Sequence, residues 1–279
     1  MSKLKTRFPR DRREWSFILE KNPYSGSWNM AVDDFLFCSL SDKPQTYLRF
    51  YGWKRPTASL GYSQDIRRVL DVEYCQKHGI DIVRRMTGGK LVLHSREVTY
   101  SLCSSDSRTF TSTLADSYRL ISQALIRGLE KMGLRPCLAD APPLSYVRGN
   151  LPCFSYPARD EIEVDGKKII GSAQKRTGSR FIQHGSIPLE EDDILLEAIS
   201  LLEKNKGEVR MVSLSQALGR QVSFDWTVEC LTSGISEFFN VKLTPKKFNA
   251  HERKLISEIE QERYANPDWT FGVRLPKLP

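Results

Sequence analysis

Three predicted strands joined by very short turns, within residues 161–187, constrain the fold of this chain more than any other feature. Asp165-Gly166 and Thr177-Gly178 separate these strands, and a two-residue connection that contains glycine is typical of a β-hairpin. Strands joined in this way are antiparallel, because a parallel connection needs a crossover of about a dozen residues or more. The sequence therefore predicts a sheet built largely from hairpins.

Further strands and helices are distributed over the rest of the chain. The clearest helix is at 111–132, where apolar residues recur every three or four positions and Gly133 ends the pattern. Because strands and helices are mixed and hairpins outnumber crossovers, we expect an α+β fold with a mixed, mostly antiparallel sheet flanked by helices. Strands are also predicted at 46–51, 57–60, 81–85, 90–94 and 98–104, and helices at 28–40, 67–78, 191–204, 213–219, 225–239 and 249–264.

Charge and hydropathy exclude several classes of protein. The formal net charge of +8 indicates either a solvated basic surface or an acidic protein partner. Nucleic acid is not expected as a partner, since there is no zinc-finger, RNA-recognition or basic-zipper pattern. No apolar run approaches the roughly 18 residues of a membrane span, and the charged N-terminus lacks the apolar stretch of a secretory signal. We therefore expect a cytoplasmic protein with no membrane partner.

The six cysteines, at 38, 75, 103, 137, 153 and 230, form no C-x-x-C pair and no cluster with histidine. Neither a disulfide framework nor a metal site is therefore expected. For each of them, packing as a small buried apolar side chain is the commoner interpretation. Cys153 differs because prolines flank it in GNLPCFSYP, a setting in which a thiol can be exposed. A nearby lysine would favour its reactive thiolate form.

The segment RRMTGGKLVLH, residues 84–94, predicts a ligand-binding loop. Gly88 and Gly89 allow the backbone to approach a ligand closely, and the neighbouring arginines and lysine add positive charge. Backbone N–H groups together with cations can bind a carboxylate, a phosphate or an oxyanion. The alternative is an ordinary Gly-Gly hairpin with exposed charges, in which His94 is a structural histidine rather than a donor to the ligand.

The segment GKKIIGSAQKR, residues 166–176, contains a lysine that is a candidate base. Lys168 and Ile170 alternate along a predicted strand, so that we expect them on the same face. Gly171-Ser172-Ala173 places three small residues inside this strand, which indicates close packing by another group. A lysine directed into the sheet could act as a base, whereas a solvent-facing lysine is the commoner case.

Taken together and in order, these segments resemble the biotin/lipoate protein ligase superfamily, over about 26–270. The similarity lies in GSWNMAVDD (26–34), RFYGWKRPTASLGYSQD (49–65), VRRMTGGKLVLHSREVTYS (83–101), CFSYPARDEIEVDGKKIIGSAQKR (153–176), FIQHGSI (181–187) and ERYANPDW (262–269). The resemblance implies the catalytic fold that biotin ligases share with class II aminoacyl-tRNA synthetases. On this basis we assign a basic N-terminal extension to 1–25, a catalytic domain to 26–240 and a helical C-terminal segment, packed on the same domain, to 241–279.

Within the superfamily, the chain resembles the LipM-type octanoyltransferases, because Cys153 lies fifteen residues before Lys168 of the GKK strand. Lipoate–protein ligase A is a relative in the same superfamily. This branch implies octanoyl transfer through a cysteine thioester, with octanoyl-acyl carrier protein as the donor. The implied acceptors are lipoyl-domain proteins, namely the glycine cleavage H protein and the E2 subunits of 2-oxoacid dehydrogenases. The resemblance implies no required cofactor and no metal, and we expect a monomer.

The same resemblance implies a role for each motif residue, with Cys153 as the nucleophile and Lys168 as its base. Two enzymatic alternatives stay open: an ATP- and Mg²⁺-dependent lipoate–protein ligase, and an amidotransferase that moves octanoyl or lipoyl groups between lipoyl-domain proteins. A non-catalytic acyl- or nucleotide-binding protein with this fold is a third. The expected acyl- or oxyanion-binding residues are Arg85, Thr87, Gly88, Gly89, His94, Gly171, Ser172, Ala173 and His184.

Overall fold

Strands from nearly the whole length of the chain build the sheets of this protein. The computed structural model describes residues 12–110, 113–140, 160–201 and 211–272. Within these ranges the strands are β1 (Arg13–Tyr24), β2 (Thr46–Trp53), β3 (Thr57–Leu60), β4 (Asp81–Arg84), β5 (Val92–His94), β6 (Glu97–Ser104), β7 (Cys137–Leu138), β8 (Ile162–Val164), β9 (Lys167–Thr177), β10 (Arg180–Pro188) and β11 (Val241–Pro245).

Among the described residues, eight strands form one large sheet in the order β11-β1-β2-β6-β10-β9-β8-β7, and β4-β3-β5 form a small second sheet. In the large sheet, β1 is parallel to both β11 and β2, and the other neighbouring pairs are antiparallel. The predicted mixed, mostly antiparallel sheet is therefore confirmed. Its parallel part arises because a helix, rather than a tight turn, joins β1 to β2.

Helices cover both faces of the large sheet. On one face, α4 (Leu114–Lys131) and α7 (Phe224–Phe239) cross so closely that a Cβ on Gly234 would lie 2.2 Å from the backbone nitrogen of Gly128. On the other face, α1 (Gly26–Cys38) packs with α8 (Ala250–Ile259). The other helices are α2 (Ile66–Val69), α3 (Val72–Lys77), α5 (Asp193–Ile199), α6 (Leu214–Leu218) and α9 (Pro267–Phe271), and a π-helical turn, Glu260–Tyr264, follows α8.

The strands of the large sheet contribute side chains to two hydrophobic cores, one on each of its faces. On β6, Val98, Tyr100 and Leu102 belong to the core beneath α4 and α7, whereas Cys103 belongs to the core beneath α1. This partition follows from the period-two geometry of a strand that is buried on both faces. In the described part of the chain, no helix combines the length and the apolar character that crossing a membrane would need.

The first 25 residues are only partly an extension, because Arg13–Tyr24 form β1 inside the sheet. Trp15 and Ile18 of this strand are buried in opposite cores. β1 was not predicted from the sequence, because charged residues flank its apolar stretch and its two partner strands are distant in sequence. The C-terminal segment likewise contributes β11 before its helices begin. The domain boundaries themselves stay a prediction.

The single helix predicted at 67–78 is wrong, since the structure contains the two short helices α2 and α3. Leu70 leaves the helical conformation and forms an isolated bridge with Ser200. Asp71 then begins the second helix by accepting a hydrogen bond from the backbone N–H of Tyr74, at 2.9 Å. Aspartate is a favoured N-cap residue, so it can start a new helix in the middle of a helical pattern.

Both predicted hairpin turns in 161–187 are present. Asp165 and Gly166 have φ values of +51° and +72°, as a type I′ turn requires. The second loop is Gly178-Ser179, one residue later than predicted, because Thr177 pairs with Arg180.

The pairing of β8 with β9 contains a bulge that the sequence pattern did not reveal. One extra residue of β9 lies between Lys168 and Ile170, whose partners on β8 are adjacent. The regular alternation of side chains along β9 is therefore interrupted at this point. The expectation that Lys168 and Ile170 point to the same face rested on this alternation and does not hold.

Candidate functional site

A pocket on the α1 side of the large sheet brings together most of the residues that sequence reasoning singled out. Residues of α1, β2, β6, β9, β10 and the loop between β4 and β5 surround about 470 Å³ of space, which includes the solvent-open mouth. Seven of the predicted acyl- or oxyanion-binding residues line it: Arg85, Gly89, His94, Gly171, Ser172, Ala173 and His184.

The lining of the pocket combines half-buried residues with deeply buried, largely apolar ones. Ala173 is half-buried, whereas Met30, Tyr51 and Trp53 are each at most 8% exposed. The indole of Trp53 stacks on the ring of His94, with the two centroids 4.1 Å apart. A deeply buried, largely apolar lining of this kind suits an alkyl chain, because each buried methylene contributes about 0.8 kcal/mol.

The loop between β4 and β5 carries the two glycines. Arg85 turns back beneath it and donates hydrogen bonds to the carbonyls of Gly88, at 3.1 Å, and Lys90, at 2.9 Å. The C=O and N–H groups of a trans peptide point in opposite directions, so the N–H of Gly89 points away from the guanidinium. A Cβ on Gly61 would lie 1.9 Å from the carbonyl oxygen of Gly89, so only glycine permits this approach. Gly89 also lines the pocket, which makes its N–H a candidate donor to a carbonyl oxygen or an oxyanion there.

One chain of hydrogen bonds joins α1 to the glycine loop through His184. Its Nδ1 donates to Asp33 Oδ2 at 3.1 Å, and its Nε2 accepts from the Thr87 hydroxyl at 2.7 Å, since a carboxylate can only accept. Burial lowers the pKa of His184 and outweighs the opposing effect of Asp33, so the imidazole is neutral near pH 7. Burial acts to raise the pKa of Asp33, but the His184 hydrogen bond and the charge of Arg49 outweigh it and lower this pKa.

A second chain of hydrogen bonds reaches the start of the same loop through His94. Its Nδ1 lies 2.8 Å from Glu97 Oε1, and its Nε2 lies 2.7 Å from Ser59 Oγ. The Ser59 oxygen also accepts a hydrogen bond from Arg85, at 2.7 Å. Both nitrogens of each imidazole are thus bonded to protein groups. This arrangement favours a role for the two histidines in positioning the loop over direct contact with an acyl carbonyl.

Lys168 lies outside the lining of this pocket, on the strand that forms one of its walls. It is three residues before Gly171, which corresponds to about 10 Å along a strand. The side chain is fully buried, and its Nζ lies 2.7 Å from Oε1 of the buried Glu161. A solvent-facing lysine is therefore the wrong interpretation, and the pair can be buried because its two charges compensate each other.

The remaining predicted residues occupy different places. Thr87 is fully buried behind the pocket wall, where it bonds to His184, and Gly88 is exposed in the loop. Cys153, the predicted nucleophile, lies outside the described residues.

Sequence reasoning missed the partners of the motif residues. Asp33 carried a signal, because Asp33 and Asp34 fall at helical spacing between Met30 and Phe37, on the face that the apolar residues occupy. Ser59, Glu97 and Glu161 carried none, since each acquires its partner only through strand pairing and packing.

Comparison with known proteins agrees with this geometry. Residues 25–236 match the family described as the lipoyl protein ligase A/B catalytic domain. The chain is 33% identical to octanoyltransferase LipM of Geobacillus kaustophilus, over 92% of this chain and 98% of that protein. It is 35% identical to the protein of the same name from Kyrpidia tusciae, over 91% and 97%, and 30% identical to that of Bacillus subtilis, over 93% and 99%.

Solved structures share the fold. A putative lipoate protein ligase from T. acidophilum with bound lipoic acid has a TM-score of 0.78 at 23% identity, over 93% of this chain and 100% of that chain. Lipoate-protein ligase A bound with ATP has a TM-score of 0.77 at 23% identity, over 93% and 99%. At these identities the similarity supports the fold alone, and the ligase-type catalytic fold expected from the sequence is confirmed.

Proposed function

Since this chain belongs to the lipoyl protein ligase A/B catalytic-domain family, we propose that it is a protein N-octanoyltransferase of protein lipoylation. It takes an octanoyl group from octanoyl-acyl carrier protein and transfers it to a lysine of a lipoyl-domain protein. The similarity to octanoyltransferases named LipM, at 30–35% identity along more than nine-tenths of the chain, carries this proposal.

The reaction consists of two acyl transfers through Cys153. The Cys153 thiolate attacks the carrier thioester, a new C–S bond forms, and the bond to the carrier sulfur breaks as that sulfur takes up a proton. The amine of the target lysine then attacks the enzyme thioester, the C–N bond of an amide forms, and the Cys153 sulfur leaves. Exchange between thioesters is nearly balanced, whereas amide formation is strongly favourable, so the second transfer gives the reaction its direction.

Lys168 acts as the base in both transfers. It accepts the proton of the Cys153 thiol before the first attack and the proton of the target ammonium before the second. Two features support this role: Lys168 is on β9, which continues into the pocket wall at Gly171, and its ion-pair partner Glu161 is close in sequence to Cys153.

The pocket supports the binding of a medium-length acyl group. Met30, Tyr51 and Trp53 provide buried, largely apolar lining for the alkyl chain, and the backbone N–H of the lining residue Gly89 is the donor proposed for the carbonyl oxygen. The donor in this reaction is itself a thioester, so the chemistry requires neither nucleotide nor metal. The net charge of +8 favours association with acidic carrier and lipoyl domains, through long-range electrostatic attraction in the cytoplasm.

Intact-mass spectrometry after mixing the protein with octanoyl-acyl carrier protein tests the proposal. We expect the mass of one octanoyl group to be added to the wild-type protein and not to Cys153→Ala. The adduct should then disappear when a lipoyl-domain protein is added, as that protein gains the octanoyl group.

Other outcomes would contradict the proposal and identify an alternative. An ATP-dependent ligase would require ATP and Mg²⁺ and would retain activity in Cys153→Ala. An amidotransferase would form the adduct with an octanoylated lipoyl-domain protein and not with the carrier. A non-catalytic binding protein would form no adduct with either donor.

A further inference from the structure

Glu161 and Lys168 form a buried ion pair, of which the mechanism above uses only the lysine. Glu161 Oε1 and Lys168 Nζ are 2.7 Å apart, and the two residues are 5% and 0% exposed. The β8–β9 hairpin brings them together, since Glu161 directly precedes β8 and Lys168 is the second residue of β9.

Backbone hydrogen bonds hold both residues in place. The N–H of Ala139 donates to the carbonyl of Glu161 at 2.8 Å, and the N–H of Val212 donates to the carbonyl of Lys168 at 2.9 Å. Since both backbone segments are anchored, the two side chains meet in a pre-organised geometry, unlike the partners of a flexible surface pair.

Burial makes this pair an unusual choice for stability alone. Moving two charges out of water carries a penalty that their attraction often fails to offset, and apolar side chains of similar size usually stabilise a fold equally well. Elsewhere in the chain, Lys246 and Glu252 are also 2.7 Å apart, but their side chains remain 25% and 19% exposed. The contact at Lys168 therefore calls for a reason other than packing.

The carboxylate also acts electrostatically on the strand next to the pocket. Burial raises the pKa of Tyr100 on β6 to about 12, and the charge of Glu161 adds a smaller contribution in the same direction. The Tyr100 hydroxyl lies 2.7 Å from Oγ of Ser172, a residue of the pocket wall. The other charged group that faces the pair from β8 is Glu163, which is opposite Lys168 in the strand pairing.

We propose that Glu161 is a positioning residue that makes Lys168 an effective proton acceptor in the acyl transfer, an inference that rests on the proposed function. The pair works as one unit. When Lys168 takes a proton from the thiol or from the target ammonium, the proton that it shares with Glu161 moves onto the carboxylate. Lys168 remains an ammonium, Glu161 becomes a carboxylic acid, and the proton returns by the same route to the departing sulfur.

The Glu161→Gln variant tests the proposal, because glutamine keeps the size and a hydrogen bond but cannot take up the proton. We expect kcat for octanoyl transfer to fall about 100-fold, within the range of general acid–base effects, while KM for the octanoyl carrier changes less than about two-fold. The pH at which alkylation of Cys153 is half-maximal should fall by about one unit, because the positive charge of Lys168 is no longer compensated and favours the thiolate. Glu161→Asp should restore part of the rate.

Glu252→Gln is the matched control. It removes the charge from a Lys–Glu contact of the same length, and glutamine can replace glutamate in the capping box of α8. We expect wild-type kcat and an unchanged alkylation profile for this variant.

The possible failures can be told apart. Because Glu161→Gln removes one partner of a buried pair, the thermal unfolding of this variant is measured as well. If the variant does not fold, Glu161→Asp, which keeps the charge, replaces it, and we expect its kcat to fall by about 10-fold. A wild-type kcat and alkylation profile in the folded variant would overturn the role of Glu161 and leave the proposed function intact. Absence of the octanoyl adduct on wild-type protein would overturn the proposed function, and the inference with it.

Discussion

The two histidines of the pocket lie in similar chains of hydrogen bonds that are balanced by different charges. In the chain through His184, the Asp33 carboxylate also accepts a hydrogen bond from Arg49, at 2.8 Å. Arg49 is fully buried and bonds in addition to Glu20, with its Nε 2.7 Å from a carboxylate oxygen. This side of the pocket therefore depends on a buried network of full charges.

In the chain through His94, neutral groups take the place of the arginine. Glu97 accepts hydrogen bonds from Trp53 Nε1, at 3.1 Å, from Ser186 Oγ, at 2.5 Å, and from the Thr99 hydroxyl. A buried carboxylate can thus be stabilised either by one cation, as Asp33 is, or by several neutral donors, as Glu97 is. The two solutions should respond differently when a partner is removed, because an uncompensated charge costs more than a lost neutral hydrogen bond.

Removal of the arginine should have the largest effect. In Arg49→Met, Asp33 and Glu20 lose their buried cation, so we expect the free energy of unfolding to fall by about 3–5 kcal/mol. Chemical denaturation measures this change. The control is Arg127→Met, which breaks an exposed pair with Glu130 and should cost less than about 1 kcal/mol. Similar losses in the two variants would mean that the charge network is not what distinguishes this side of the pocket.

Removal of the Thr87 or the Ser59 hydroxyl should lower the free energy of unfolding by less than removal of Arg49 does. The same variants test whether the two chains of hydrogen bonds position the loop between β4 and β5. Thr87→Val leaves the buried Nε2 of His184 without a donor, at a cost of about 1–3 kcal/mol. Ser59→Ala should cost somewhat more, because Ser59 bonds to both His94 and Arg85. Unfolding and kcat/KM for octanoyl transfer are measured for both. A loss of stability with unchanged kcat/KM would show that the loop does not depend on these bonds.

The pH dependence of stability between about pH 5 and 6.5 should show the smallest effect and should come mainly from His184, because the carboxyl groups with lowered pKa, such as Asp33, act at lower pH. The pKa of His184 is lowered in the folded protein, so that below its ordinary value of 6.5 the unfolded chain binds the proton first. The free energy of unfolding should therefore decrease as the pH falls below 6.5, by up to about 1.4 kcal/mol per pH unit, and His184→Gln should remove this slope. Denaturation at several pH values measures it. The slope should persist in His78→Gln, since His78 is exposed.

Local patterns predicted much of the fold but not its non-local pairings. The turn at Asp165-Gly166 and the helix at 111–132 follow from residue types that are close in sequence, and both are present. The strand Arg13–Tyr24 was missed because its partners are β2 and β11, and the latter is more than 200 residues away. Pairing over such a distance depends on what the rest of the chain buries, which no short window of sequence contains.

The sequence by itself determined the turn chemistry, the apolar periodicity and the order of the motifs, and from these the family. Such features act over a few residues, so they can be interpreted before any fold is known. Only the tertiary structure decided that His184 bonds to Asp33, 151 residues earlier, and that Lys168 is buried against Glu161. The reason is physical: the direction and the partner of a polar side chain are set by strand register, bulges and packing between distant segments, and these arise only when the whole chain is folded.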